Sequence, residues 1–410
     1  MKSSKLAYLY EFPKFLKEIK KLNDIIFFFP FYHFGGGETV HLDILKIFKD
    51  YKTSCFIIHE SDNDFLREDF LKVTNIVDLW KYKSSKYNSY LKSLARVINS
   101  KDNPIVFGCN NRFFYQLAEY LDEDKVKILD LTHAFSYEDP HAVEKFSLPM
   151  VHKIRSRVIL GKKTYDDYKS LYIDNNVDLS FLNRFVIINN AVDVPDSYTN
   201  KLNDESLKVL FVSRNSFEKR PEILFEIAKR CHLKKIKASF TVIGDFENVT
   251  NNLPNLKIAG SIKEKEKLNS YYSENDTLLI TSFREGFPMV ILEGMAFGVV
   301  PISTNVGEIS SFINSKNNNG ILLNDISINR YRQIQHTYEK NEKWYPANQL
   351  KNIPTDLEKI IDEFVITIEK LQNNRSLLSD LSINAYNSIN ENFSKDKHRK
   401  EYLNLFSRKS

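Results

Sequence analysis

Three cysteines are all that this 410-residue chain contains, and Cys55, Cys109 and Cys231 stand far apart with no Cys-x-x-Cys pair. An odd number at such spacing argues against a disulfide framework or a cysteine-built zinc cluster, and for a reducing cytoplasm. Long apolar runs are missing too. The longest near the N-terminus, IIFFFPF (Ile25 to Phe31), carries a proline, follows no signal-peptide layout and is far shorter than the about 20 residues of a membrane span. Neither a span nor export by that route is expected. Charge of one sign is scarce as well: the net charge is +5, and 27% charged beside 42% hydrophobic residues is ordinary globular composition. Complete nucleotide fingerprints are absent. The triplet Gly35, Gly36, Gly37 lacks the third glycine of Gly-x-Gly-x-x-Gly, which disfavours a nicotinamide dinucleotide. GKKT (Gly161 to Thr164) resembles the end of a P-loop but has Ser156 where the first glycine should be.

What is present is a long alternation of strand and helix signals. At 410 residues the chain exceeds the roughly 250 to 300 at which single cores stop growing, so two domains are the default. The strand-like runs are DIIFFFP, TSCFIIHE, NPIVFGC, VKILDLTH, SRVILG and RFVIINNAV, then LKVLFVS, ASFTVIG, LKIAG, DTLLITS and VVPIST. They are continuous rather than alternating, as in parallel sheets covered on both faces, and predict two doubly wound α/β domains. The turn-rich stretch DVPDSYTNKLNDES (Asp193 to Ser206) marks the boundary. Near the start, KFLKEIKKL (Lys14 to Leu22) sets apolar residues against lysines: a solvated helix face, or one able to touch an anionic membrane surface.

Ligands of such sheets bind beyond the C-terminal strand ends, and with two domains the cleft between them is the natural place. The informative residues therefore follow strands. In SFREGFPMVILEGMAFG (Ser282 to Gly298), Glu285 precedes a helix opened by Pro288 and stopped by Gly298, and Glu293 lies within it, seven residues intervening. Glu293 shares a helical face with Met289, Leu292 and Ala296, so a largely buried carboxylate is predicted, in need of hydrogen-bond donors. Arg214 and Lys219, before a helix starting near Pro221, suit an anion site at a helix N-terminus; solvated surface cations are the plainer reading. Gly35, Gly36 and Gly37 precede a helix predicted from Thr39, where a backbone would turn sharply or lie against a ligand. His133 ends another strand, as a structural residue or a ligand contact.

Together these segments resemble the retaining GT-B glycosyltransferases of family 4. EGFPMVILE is similar to that family's paired-glutamate signature, FGGGETV to its N-terminal glycine loop and THAF to its cleft histidine. IINNAVDVP, LFVSRNSFEKRP, FTVIGDFE and NVGEISSFI follow in the family's order, and INENFSKDKHRKEYLNLF looks like its C-terminal helix crossing back to the first domain. The resemblance implies residues 1–195 as an acceptor-side Rossmann-like domain, 196–385 as a nucleotide-sugar domain facing it across a cleft, and 386–410 as the crossover helix. It implies a hexosyltransferase-type enzyme using a nucleoside-diphosphate sugar, a UDP-sugar first and a GDP-sugar next, with no metal and no further cofactor. Arg214 and Lys219 would stabilise the departing diphosphate, and Glu293 would accept hydrogen bonds from the ribose. Glu285 would bind the donor sugar near Gly286, Phe287, Met289 and Val290. His133 would contact the sugar from the first domain, and the amides of Gly35 to Gly37 would approach the phosphates. Same-face substitution through an oxocarbenium-like state is the family's usual proposal, and no nucleophile in the sequence suggests another.

Departures are small: Gly161 stands where the family often has serine, Ala191 where it has glycine, and a single glycine, Gly307, precedes Glu308 where many relatives have two. Residues 328–350 match no family motif, and read as a peripheral decoration or an acceptor-side element. Rival classes are a metal-dependent GT-A enzyme, using SDND (Asp62, Asp64) or DED (Asp122 to Asp124), a GT-B epimerase or phosphorylase, and a non-catalytic GT-B partner subunit. The acceptor, a saccharide, lipid-linked saccharide or other hydroxyl compound, would meet loops such as CNNRFF (Asn111, Arg112) and HESDND. The Lys-, Asn- and Ile-rich composition goes with an AT-rich bacterial genome and surface-polysaccharide assembly, at the inner face of the membrane or in the cytoplasm.

Overall fold

The computed structural model describes residues 2–407 apart from 34, 83–86, 110, 136–141, 197, 199–200, 202–204, 250 and 333–352. The chain divides into two compact units, residues 1–190 with 398–410, and residues 191–397. Among the described residues no helix is long and apolar enough to cross a membrane.

The first unit is built on seven parallel strands: β1 (Ile25–Phe29), β2 (Thr53–Ile57), β3 (Asn75–Asp78), β4 (Ile105–Cys109), β5 (Lys127–Thr132), β6 (Ser156–Ile159) and β7 (Phe185–Ile187). Their order is β3-β2-β1-β4-β5-β6-β7. The phenylalanine run of β1 shows why the sequence is continuous. Phe28 packs with Phe56, Phe113 and Phe114 on one face. Phe27, one residue earlier and so on the opposite face, meets Phe48, Phe107 and Phe406. Phe406 belongs to the C-terminal helix Lys395–Ser407, whose end Lys127 Nζ secures by donating to the carbonyls of Leu405 and Phe406 at 2.9 and 3.0 Å.

The second unit has six parallel strands: β8 (Leu207–Val212), β9 (Ala238–Ile243), β10 (Leu256–Gly260), β11 (Thr277–Ile280), β12 (Val300–Thr304) and β13 (Ile321–Leu323), in the order β10-β9-β8-β11-β12-β13. Helix Pro221–Leu233 packs beside helix Thr355–Asn373, with Arg230 held by Asp362 at 2.7 Å and Glu358 at 3.3 Å. In each sheet the chain works outward in one direction and then returns to start in the other, between β1 and β4 and between β8 and β11. These switch points leave a crevice beyond the strand ends, and both are flanked by the residues singled out from the sequence.

Several expectations are corrected. β3 and β13, of four and three residues, give too short an apolar run to be read as strands. The helix expected from Thr39 begins at Gly36, so Gly36 and Gly37 form its first turn rather than a loop, and Gly35 caps it in extended backbone. A Cβ at Gly37 would meet open space, so no sharp turn calls for all three glycines. Residues 386–407 hold the end of one helix, Arg375–Asn392, and a second, Lys395–Ser407. Most of the 328–350 segment lies outside the described residues.

Candidate active site

The β8/β11 switch point of the second unit brings two of the expected residues together. Lys219 ends a short turn after β8, and Glu285 follows β11. Lys219 Nζ donates to both carboxylate oxygens of Glu285, at 2.6 and 2.8 Å, and Ser282 Oγ donates to Glu285 Oε1 at 2.6 Å. The lysine side chain is 20% exposed and the carboxylate 8%, so the pair is partly desolvated yet open on one side. Such a pair attracts more strongly than one in bulk water, and its geometry is fixed before any ligand arrives.

Neighbouring loops build this geometry. Arg220, beside Lys219, is wholly buried and takes a left-handed backbone, φ 49°. Its guanidinium meets buried Asp325 at 2.5 Å, donates to Ser327 Oγ at 3.0 Å and to the Thr281 carbonyl, and lies 4.8 Å above the Tyr331 ring. Thr281 Oγ1 in turn donates to the Lys219 carbonyl at 2.7 Å. The loops after β8 and β11 are thereby joined at the base of the pair. Gly307, at φ 58°, presses against the second loop: a Cβ there would lie 2.2 Å from the Glu285 carbonyl oxygen, and Glu308 N donates to the Gly286 carbonyl at 3.0 Å. Gly244, at φ 141°, does the same for the first, since a Cβ would lie 1.8 Å from the Ser213 carbonyl oxygen. Only glycine fits at either place.

Other expected residues stand differently. Arg214 does not converge on Lys219; it is 75% exposed and donates to Glu218 Oε1 at 3.1 Å. Burial pushes the Glu218 carboxyl up, but its own backbone amide and Arg214 outweigh this and hold it below its usual value. Glu293 is half-buried rather than enclosed, because the inward face of helix Met289–Ala296 is formed by Ile291, Leu292, Gly294, Met295 and Ala296. Tyr272 Oη donates to Glu293 Oε2 at 2.9 Å. Met289 and Val290 open that helix, where first-turn amides have no intrahelical acceptor. Phe287 is core, against Phe312 and Phe393. Asn111, read as an acceptor-side residue, is buried: it caps helix Arg112–Tyr120 through Phe114 N and donates to the carbonyls of Phe28 and Cys109. Arg220, Ser282 and Tyr272 were not singled out in the sequence. In EKRP nothing distinguishes a buried arginine from a solvated one, and only the hydroxyl three residues before Glu285 gave a usable signal.

In the first unit, His133 follows β5 and its Nε2 lies 2.9 Å from Nε2 of His41, on helix Gly36–Ile47. His41 Nε2 is also 3.3 Å from Cys109 Sγ, and its ring stacks on Phe29 at 4.2 Å. Burial lowers the pKa of His133 to about 4 and, with the neighbouring His133, takes His41 well below its usual value. Burial first, then Asp130, Glu38 and Glu144, pushes the Cys109 thiol well up. Gly35 is crowded, with Glu38 Oε2 2.4 Å from where its Cβ would be, whereas a Cβ at Gly37 would meet open space.

Comparison with known proteins bears on the fold. Residues 196–345 match the family of glycosyl transferases group 1. An uncharacterized glycosyltransferase of Methanocaldococcus jannaschii is 27% identical over 301 residues, 69% of this chain and 79% of its own. An uncharacterized 41.2 kDa protein in the cps region of Klebsiella pneumoniae is 25% identical over 273 residues, 62% of this chain and 71% of its own. HepE of Anabaena, crystallised with UDP, superposes with a TM-score of 0.66 at 13% identity, over 93% of this chain and 99% of its own. The architecture is GT-B, as the resemblance implied. A GT-A fold has no place for the second parallel sheet.

Proposed function

Starting from a GT-B glycosyltransferase, we propose that the chain moves a sugar from a nucleoside-diphosphate sugar, a UDP-sugar first, to a hydroxyl acceptor with retention of configuration and no metal at the diphosphate. The observation that carries this reading is the Lys219–Glu285 pair at the β8/β11 switch point, within the matched segment. Departure of the nucleotide gathers negative charge on its phosphate oxygens, and a lysine held in place stabilises that charge without reorganising. Glu285 fixes Lys219, and its carboxylate has acceptor sites enough to take donor-sugar hydroxyls as well. Glu293, steadied by Tyr272, is assigned the ribose hydroxyls, and Arg214, exposed and paired with Glu218, the outer phosphate. Gly286, Phe287, Met289 and Val290 contribute backbone at the mouth of the loop. On the first unit, neutral His133 is assigned a sugar hydroxyl and the first-turn amides after Gly35 the phosphates. Surface-polysaccharide assembly at or near the cytoplasmic membrane leads among pathways because one relative is encoded in a cps region. That HepE was crystallised with UDP makes UDP the first donor nucleotide to try.

Thermal unfolding in EDTA tests this. UDP at 100 times its dissociation constant should add about 2.7 kcal/mol of stability, and the gain should vanish in Lys219→Ala while that variant stays folded. Stabilisation only with manganese, or undiminished in Lys219→Ala, would overturn the phosphate assignment; a GDP-only response would change the base and leave the site.

A further inference from the structure

Three metal-ligating side chains converge in the first unit from separate elements: His41 from helix Gly36–Ile47, Cys109 from the end of β4, and His133 from just after β5. One ligand atom of each lies within 4.8 Å of the others. We propose that His41, Cys109 and His133 form a binding site for a transition-metal ion of the borderline-soft class that accepts nitrogen and sulfur together, Zn2+ above all.

Geometry is the first argument. Around a tetrahedral zinc with bonds of about 2.0 Å to nitrogen and 2.3 Å to sulfur, neighbouring ligand atoms stand about 3.3 to 3.6 Å apart. The observed contacts, 2.9 Å between the two Nε2 atoms and 3.3 Å from His41 Nε2 to Cys109 Sγ, come within a few tenths of an ångström of that. Small rotations of two side chains would admit an ion, with the fourth position left to water or another donor.

Hydrogen bonding gives the second argument. His41 Nε2 faces both His133 Nε2 and Cys109 Sγ, yet a ring nitrogen carries one proton or one lone pair, never two of either. If His41 donates to His133, the thiol must turn its proton elsewhere; if it accepts from His133, no lone pair is left for the thiol. An ion uses the lone pairs of all three at once. Binding requires both imidazoles neutral and the thiol deprotonated, so metal uptake would release the Cys109 proton. The stack on Phe29, with planes 7° apart, orients the His41 ring. Binding would occupy the Nε2 of His133 that the transfer reading assigns to the sugar, so the decisive readout is the metal rather than activity.

The test is titration of the full-length, reduced protein, after dialysis against EDTA, with Co2+ as a spectroscopic stand-in for Zn2+. The wild type should bind one equivalent, with a thiolate-to-cobalt charge-transfer band in the near ultraviolet that Zn2+ abolishes. Cys109→Ser should lose the band, and His41→Gln should weaken binding by more than the about 10- to 100-fold that loss of an outer-shell partner costs. A folded wild type without the band, or one whose band and affinity survive in Cys109→Ser, would overturn the site and leave a hydrogen-bonded trio. Because the wild type alone can give that result, a misfolded variant would not protect the proposal. Neither result bears on UDP binding by the second unit.

Discussion

A single carboxyl shows how burial alone changes chemistry. Glu222 is wholly buried on helix Pro221–Leu233 and accepts a hydrogen bond from Tyr331 Oη at 3.0 Å. Burial raises its pKa from 4.5 to about 7, against the lowering effects of its own amide, Arg220 and Tyr331. The folded protein therefore holds this proton more tightly than the unfolded chain does. Its contribution to stability is most favourable below about pH 4.5, falls as pH rises through the window to about 7, and is fully lost above it. Glu222→Gln keeps the acceptor and removes the titration. The melting-temperature difference, variant minus wild type, should climb across that window and then level off; a difference independent of pH would refute the assignment. The residue also sets a limit on sequence reading. Glu222, Arg220 and Lys219 sit together in a charged pentapeptide, EKRPE, and nothing local says that two of them are buried and the third half-open.

At the scale of elements, the site depends on two loops held at van der Waals distance by glycines. Gly307→Ala would place a methyl group 2.2 Å from the Glu285 carbonyl oxygen and ask alanine for φ 58°. Overpacking costs about 1 to 3 kcal/mol and left-handed strain about 1 to 2 kcal/mol. The variant should lose that much in equilibrium unfolding and also lose UDP-dependent stabilisation, because the loop bearing Glu285 must move. An unchanged nucleotide response would show that the contact with Gly307 does not position the carboxylate. The buried Arg220–Asp325 pair makes a related prediction. Asp325→Ala strands a guanidinium in the core and should cost about 3 to 5 kcal/mol, measured by denaturant midpoint; a loss near zero would mean that water replaces the carboxylate.

For the whole molecule, two units with separate cores should unfold in separable steps. Phe406 packs 4.3 Å from Phe48 and near Phe27 and Phe107, all in the first unit. Phe406→Ala should cost that unit about 3 to 5 kcal/mol. Calorimetry should show one transition lowered and the other, the one UDP raises, unmoved. Equal lowering of both would mean that the units melt as one.

Most of this architecture was legible before any coordinates. Continuous apolar runs such as IIFFF and VLFV can bury both faces only in a covered parallel sheet, so class, strand positions and the split into two α/β halves followed from composition and spacing. Short edge strands were not legible, because three or four residues carry no period. The sequence also placed Lys219 and Glu285 just past strand ends, where ligands of such sheets bind. Only the tertiary structure decided that these two meet while Arg214 points to solvent, and that His41, Cys109 and His133, 92 positions apart at the extremes, converge on one point. The reason is physical: burial of apolar runs is written along the chain, residue by residue, whereas contacts between loops depend on sheet order and on the close approaches that Gly244 and Gly307 permit.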